Sequence, residues 1–82
     1  MSETGQRILV VDDESPIRRY LRAALSAQGF SIFEAANGEE ALNAVISDRP
    51  DIIILDLGLP DIDGIEVTRR LREWSQTPII IL

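Results

Sequence analysis

Short aliphatic runs that alternate with stretches of helical spacing constrain this chain more than any other feature. Ile8 to Val11 is an unbroken apolar run between polar residues, the pattern of a strand covered on both faces. In the following DDESPIRRYLRAALSAQG, Ile17, Tyr20, Leu21, Ala24 and Leu25 recur at threes and fours. That spacing predicts a helix, with Ser15 as its cap, Pro16 at its first position and Gly29 at its end. Phe30 to Ala35 mixes apolar and polar positions and reads as a strand nearer the sheet edge. Asn37-Gly38 breaks it before a second helix whose face carries Ala41, Leu42, Val45 and Ile46. Asp51 to Asp56 is a third strand. After GLPDIDG, a third helix shows Ile65, Val67, Thr68, Leu71 and Trp74 toward one side, and Pro78 opens a fourth strand in PIIIL.

Strands alternating with helices imply βαβ units, hence an α/β fold with a parallel sheet and helices on its faces. Right-handed crossovers put helices on both faces only if the chain reverses its direction of travel across the sheet. In a doubly wound sheet of order 2-1-3-4-5 that reversal lies between the first and third strands, and ligands bind there beyond the strands' carboxyl ends. The first strand ends in Asp12 and Asp13 and the third in Asp56. Three carboxylates gathered at one crevice would repel one another and raise their own pKa values unless a cation sat among them. Oxygen ligands without His or Cys suit a hard cation, Mg²⁺ above all. Gly58 can bring a backbone carbonyl to the same ion. Asp56, alone at its strand tip, is the candidate nucleophile toward phosphorus, forming an aspartyl phosphate.

Plainer readings stand beside these. Asp12 and Asp13 can be loop acids favoured by the dipole of the helix they precede, and Asp56 can be a strand-ending turn residue. Asp61 and Asp63 are expected in the turn, outside the site, with Gly64 relieving a positive φ. Arg18, Arg19 and Arg22 read as the solvated face of the first helix, and Tyr20 and Trp74 as packing residues.

The chain has 82 residues, so it holds one domain at most, and its 45% apolar and 27% charged residues are ordinary globular composition. A net charge of -6 repels a polyanion, so any DNA contact has to come from another part of a longer protein. With no cysteine, a disulfide framework and a thiol nucleophile are both excluded. MSETGQR has no apolar signal core and no run approaches the ~18 residues of a membrane span. The expectation is a soluble, cytoplasmic chain with no membrane partner.

VVDDE at 10–14, IIILDLGLP at 52–60 and DG at 63–64, in this order and at these separations, resemble the receiver domain of two-component response regulators. The likeness runs along the whole chain, 1–82. DLGLPDIDGIE followed by RRLREWS further resembles potassium-transport regulators of the OmpR/PhoB group. The resemblance implies a flavodoxin-like sheet and phosphoryl transfer to Asp56 from a sensor histidine kinase. It also implies Mg²⁺ held by Asp12, Asp13, Asp56 and the Gly58 carbonyl, and kinase docking on the first helix through Ile17, Arg18 and Leu21. A complete receiver continues with a fourth helix, fifth strand and fifth helix, bearing a Ser or Thr just past the fourth strand and a Lys at the end of the fifth. The chain ends at Leu82 and contains no lysine, so the expectation is a domain truncated after its fourth strand, whose exposed edge invites pairing. Full-length members of this group would add a C-terminal winged-helix DNA-binding domain and form homodimers on phosphorylation.

Two other classes compete. A Mg²⁺-dependent phosphohydrolase using an aspartyl phosphate often has a second acid two residues past the nucleophile, where this chain has Gly58. A nucleotide-binding α/β domain would need GxGxxG or GxxxxGK after a strand, and neither occurs.

Overall fold

A computed structural model describes residues 5–82. Residues 1–4 of the polar opening stretch lie outside the described ones. The elements run β1 (Arg7–Val11), α1 (Ser15–Ser26), β2 (Ser31–Ala35), α2 (Gly38–Asp48), β3 (Ile52–Leu55), α3 (Gly64–Leu71) and β4 (Ile79–Ile81). The four strands form one parallel sheet in the order β2-β1-β3-β4. This is a flavodoxin-like, doubly wound fold, with the reversal between β1 and β3.

Alternation along the strands divides the core in two. Ile8 and Val10 of β1, with Ile32 of β2, face α1 and meet Leu21 and Leu25. Leu9, Val11, Ala35, Ile53 and Leu55 face the other way and pack with Ala41 and Val45 of α2 and Val67 and Leu71 of α3. β1 and β3 are apolar on both sides because the sheet is covered on both sides.

The helix ends follow local chemistry. Asn37 Oδ1 accepts from Glu40 N at 2.8 Å and Glu40 Oε1 accepts from Ala36 N at 2.8 Å, a reciprocal pair at the start of α2. Asp63 caps α3 by accepting from Glu66 N at 2.8 Å. At the end of α1, Gly29 adopts φ 96, Gly29 N donates to Ser26 O and Phe30 N to Leu25 O, the paired bonds of a left-handed helix stop.

Several expectations are corrected. Ser15 is the first residue of α1 rather than its cap; Glu14 takes the cap position, without a side-chain bond. Gly64 has no positive φ. It is glycine because a Cβ there would lie 2.7 Å from Leu57 Cα and 3.0 Å from Asp56 O. Tyr20 (72%) and Trp74 (51%) are exposed rather than packed, as are Ile46 and Ile65. Helix α3 closes at Leu71, before the turn that carries Trp74.

Candidate metal centre

The parallel register brings the acids together. Val11 of β1 pairs with Leu55 of β3, so the next residue of each strand, Asp12 and Asp56, leaves the sheet at the same level. Asp56 N donates to Val11 O at 3.0 Å, and Asp12 N donates to Ala35 O at 3.1 Å. These bonds carry the ladder one residue past the strands and fix both backbones where the side chains depart. Asp12, Asp13 and Asp56 each offer a carboxylate oxygen, and the three atoms lie within 4.8 Å of one another.

The three differ in surroundings. Asp12 is buried, 3% exposed, and its Oδ1 accepts from Glu14 N at 2.8 Å, which folds the loop back over it. Asp13 is exposed and Asp56 half-buried. Gly58 N donates to Asp56 Oδ1 at 3.1 Å, so Gly58 meets Asp56 through its N–H. One Asp56 oxygen is thereby held, and the other takes no hydrogen bond among the described residues. An all-oxygen donor set of this compactness fits a hard divalent cation, which neutralises charge that the carboxylates otherwise impose on one another.

The loop after Asp56 is tied to the neighbouring helix. Asp61 accepts from Gly38 N at 2.8 Å and Glu39 N at 2.9 Å, at the start of α2. Those backbone donors, that of Gly38 first, hold its carboxyl down at about 2. The turn placement expected for Asp61 and Asp63 holds, and the structure adds a role for each as a helix cap. Asp61 answers two free donors across 23 residues of sequence, a distance no local pattern conveys.

On α1, Ile17 is exposed and Leu21 is half-buried against the sheet. Arg18 departs from the solvated face expected for it. Its side chain is 16% exposed; Nε donates to Glu34 Oε1 at 2.9 Å, and a terminal nitrogen donates to the backbone carbonyl of Asp12. Arg22 Nε donates to the other oxygen of Glu34. The Arg22 bond above all holds the Glu34 carboxyl below its usual range, against partial desolvation and with Arg18 assisting. Arg19 remains exposed, as expected.

No helix among the described residues is long and apolar enough to cross a membrane. Residues 8–82 match the response regulator receiver domain. The chain is 52% identical over 75 residues to the KDP operon transcriptional regulatory protein KdpE of Escherichia coli, covering 92% of this chain and 33% of the relative. It is 49% identical over 83 residues to the transcriptional regulatory protein ResD of Bacillus subtilis, covering 100% of this chain and 35% of the relative. It thus spans about a third of the length of the curated relatives it matches. Among solved structures, the response regulator TrrA of Thermotoga maritima in complex with Mg(2+)-BeF superposes with a TM-score of 0.82 at 43% identity, over 93% of this chain and 65% of that one. A structure of the histidine kinase ThkA in complex with TrrA gives 0.85 at 44% identity, over 93% and 66%.

Proposed function

This chain belongs to the response regulator receiver domain family, and from that premise we propose that it accepts a phosphoryl group on Asp56 from a sensor histidine kinase, with Mg²⁺. The observation that carries the reading is the convergence of Asp12, Asp13 and Asp56 within 4.8 Å at the carboxyl ends of two adjacent strands. Asp12, Asp13 and Asp56 would hold the ion, with the carbonyl of Gly58 as a fourth ligand. Mg²⁺, when bound, offsets the negative charge of the transferring phosphoryl oxygens.

The chain's own residues supply the rest. Asp56 is the nucleophile because it stands alone at the tip of β3, with one oxygen held by Gly58 N–H and the other taking no hydrogen bond among the described residues, and so open to bond formation. That open oxygen attacks phosphorus of the kinase phosphohistidine. The P–O bond forms as the P–N bond breaks, and the electron pair returns to the imidazole nitrogen. Asp12, buried and bonded on both sides of its Cα, keeps its carboxylate in place throughout. Kinase docking, expected through Ile17, Arg18 and Leu21, falls to the exposed flank of α1 led by Ile17, because Arg18 turns to Glu34 and Asp12 and Leu21 to the sheet; the kinase complex of TrrA supports a partner of this kind. The chain is a signalling module rather than an enzyme with turnover, and its covalent state biases a conformational equilibrium read elsewhere in the protein. Transcriptional output, DNA binding through a C-terminal domain and dimerisation on phosphorylation belong to the longer protein, as the names of the relatives suggest. The cytoplasm, where a kinase's phosphohistidine would meet it, is the matching compartment. A phosphohydrolase is disfavoured because Gly58 stands where its second acid would be.

The test is intact mass after incubation with acetyl phosphate and Mg²⁺. A phosphoryl adduct on the parent that is absent from Asp56→Asn is the expected result. An adduct that persists in Asp56→Asn refutes the assignment.

A further inference from the structure

Asp12 is the most enclosed of the three acids, and the bond that folds its loop back is not all that holds it. Its N–H is bonded to Ala35 O and its Oδ1 to Glu14 N. Its carbonyl points the other way, toward α1, and there it meets Arg18. We propose that Arg18 is a positioning residue for the metal ligand Asp12, its guanidinium bridging the Asp12 carbonyl and the Glu34 carboxylate. The proposal rests on the Mg²⁺ site described above.

The geometry gives the bridge its direction. Val10 pairs with Glu34 across β1 and β2, and Ile8, Val10 and Ile32 all face α1. Glu34, two residues past Ile32, projects on that same side near the strand ends. Arg18 lies one turn into α1, with its guanidinium between the tip of β2 and the end of β1. A guanidinium is a planar fork with donors in fixed relation. Using Nε on Glu34 and a terminal nitrogen on the Asp12 carbonyl therefore sets the distance between these two groups. Arg22 occupies the second Glu34 oxygen, leaving the first to the Arg18 fork. Glu34 also answers the arginine's charge, which keeps the guanidinium on the carbonyl and off the carboxylates that would hold the ion.

Charge and position make opposite predictions. An arginine beside a cation site repels the cation, so on Coulomb grounds alone its removal tightens Mg²⁺ binding. If Arg18 acts by holding Asp12, its removal weakens binding. Hydrogen-bond partners that orient metal ligands cost about 10–100-fold in affinity when lost, and the low end applies to a bond made to the ligand's backbone.

The experiment is calorimetric titration of MgCl₂ into the full chain, for the parent and four variants, each first shown to be folded by circular dichroism. Arg18→Ala is expected to weaken Mg²⁺ about tenfold, and Arg22→Ala, which touches Glu34 but not Asp12, to stay within about twofold of the parent. Arg18→Lys keeps the charge but cannot present two donors at fixed spacing, and is expected to fall with Arg18→Ala. Equal or tighter Mg²⁺ binding in Arg18→Ala overturns the proposal. So does parental affinity in Arg18→Lys, which also decides the matter if Arg18→Ala does not fold. Asp13→Ala separates the two possible failures. Unchanged affinity there removes the metal centre itself, whereas weakened affinity there beside a parental Arg18→Ala removes only the role of Arg18.

Discussion

Exchanging a single glycine for alanine at two places six residues apart should give sharply unequal results. At Gly64, the buried first residue of α3, a Cβ would lie 2.7 Å from both Cα and Cδ2 of Leu57 and 3.0 Å from Asp56 O. Ordinary van der Waals separation begins near 3.4 Å, so Leu57 would have to withdraw by about 0.7 Å. Rotation of the Leu57 side chain can carry Cδ2 clear, but its Cα belongs to the backbone and moves only if the loop itself shifts. Overpacking of this kind costs about 2 kcal/mol in the middle of its usual range, offset by at most ~1 kcal/mol from the better helix propensity of alanine, for a net loss of about 1–2 kcal/mol. At a urea slope of ~1 kcal/mol/M for a chain this short, the midpoint should fall by about 1–2 M. At Gly58, the nearest atom to a Cβ is Asp56 Oδ1 at 3.9 Å, and Gly58→Ala should stay within about 0.5 kcal/mol of the parent. Because Leu57 directly follows Asp56, Gly64→Ala should also slow phosphoryl acceptance, and Gly58→Ala should affect it far less. Urea melts of the two variants, followed by phosphorylation time courses at matched folded fraction, check both points. A Gly64→Ala variant as stable as the parent would refute the close-approach argument.

Other predictions follow from the same structure. The Asp61 carboxyl is held at about 2 against an ordinary 3.8, so across that interval the unfolded chain binds the proton first and stability rises with pH. Its contribution is full above about 4 and lost as pH falls toward 2; the acid-unfolding curve of Asp61→Ala should therefore fall less steeply there, and an unaltered curve counts against the cap. Leu9, fully buried at the centre of the sheet, should cost about 2–5 kcal/mol on Leu9→Ala, whereas Ile46→Ala, at an exposed position, should change little by the same melt. Asp13→Ala should weaken Mg²⁺ and leave the fold intact or steadier, since one repelling carboxylate is gone; a marked drop in its melting temperature would contradict this.

The central strands and the acids at their tips are legible in the sequence because both report on one physical fact, burial on two faces followed by abrupt exposure. Ile8 to Val11 and Ile52 to Leu55 have no polar position to accommodate, and only a two-sided sheet permits that. The helix faces are less legible. Periodicity marks a stripe but does not say how wide a stripe its neighbours cover. On α1 only Leu21 and Leu25 reach the sheet, while Ile17 and Tyr20, on the same stripe by spacing, lie at its exposed flank. Spacing likewise puts Trp74 on a helix that closes at Leu71. Arg18 is illegible for another reason. An arginine on a polar helix looks solvated until the register of β1 with β2 places Glu34 opposite it, and that register is a tertiary fact. The turn sequence marks Gly64 as special, but through φ rather than through the nearness of Leu57, which depends on how the β3–α3 loop returns.

The in-phase ending of β1 and β3 makes chain length, more than residue identity, the quantity this site cannot tolerate changing. Losing one residue from β1 would draw Asp12 back by about 3.3 Å and turn it to the opposite face of the sheet, away from Asp56. Substitutions within the strands, provided they stay aliphatic, leave that phase untouched. Lineages of this domain should therefore vary freely in which of Val, Ile or Leu fills each strand position, while insertions and deletions collect in the α3–β4 connection, where a residue more or less moves no acid.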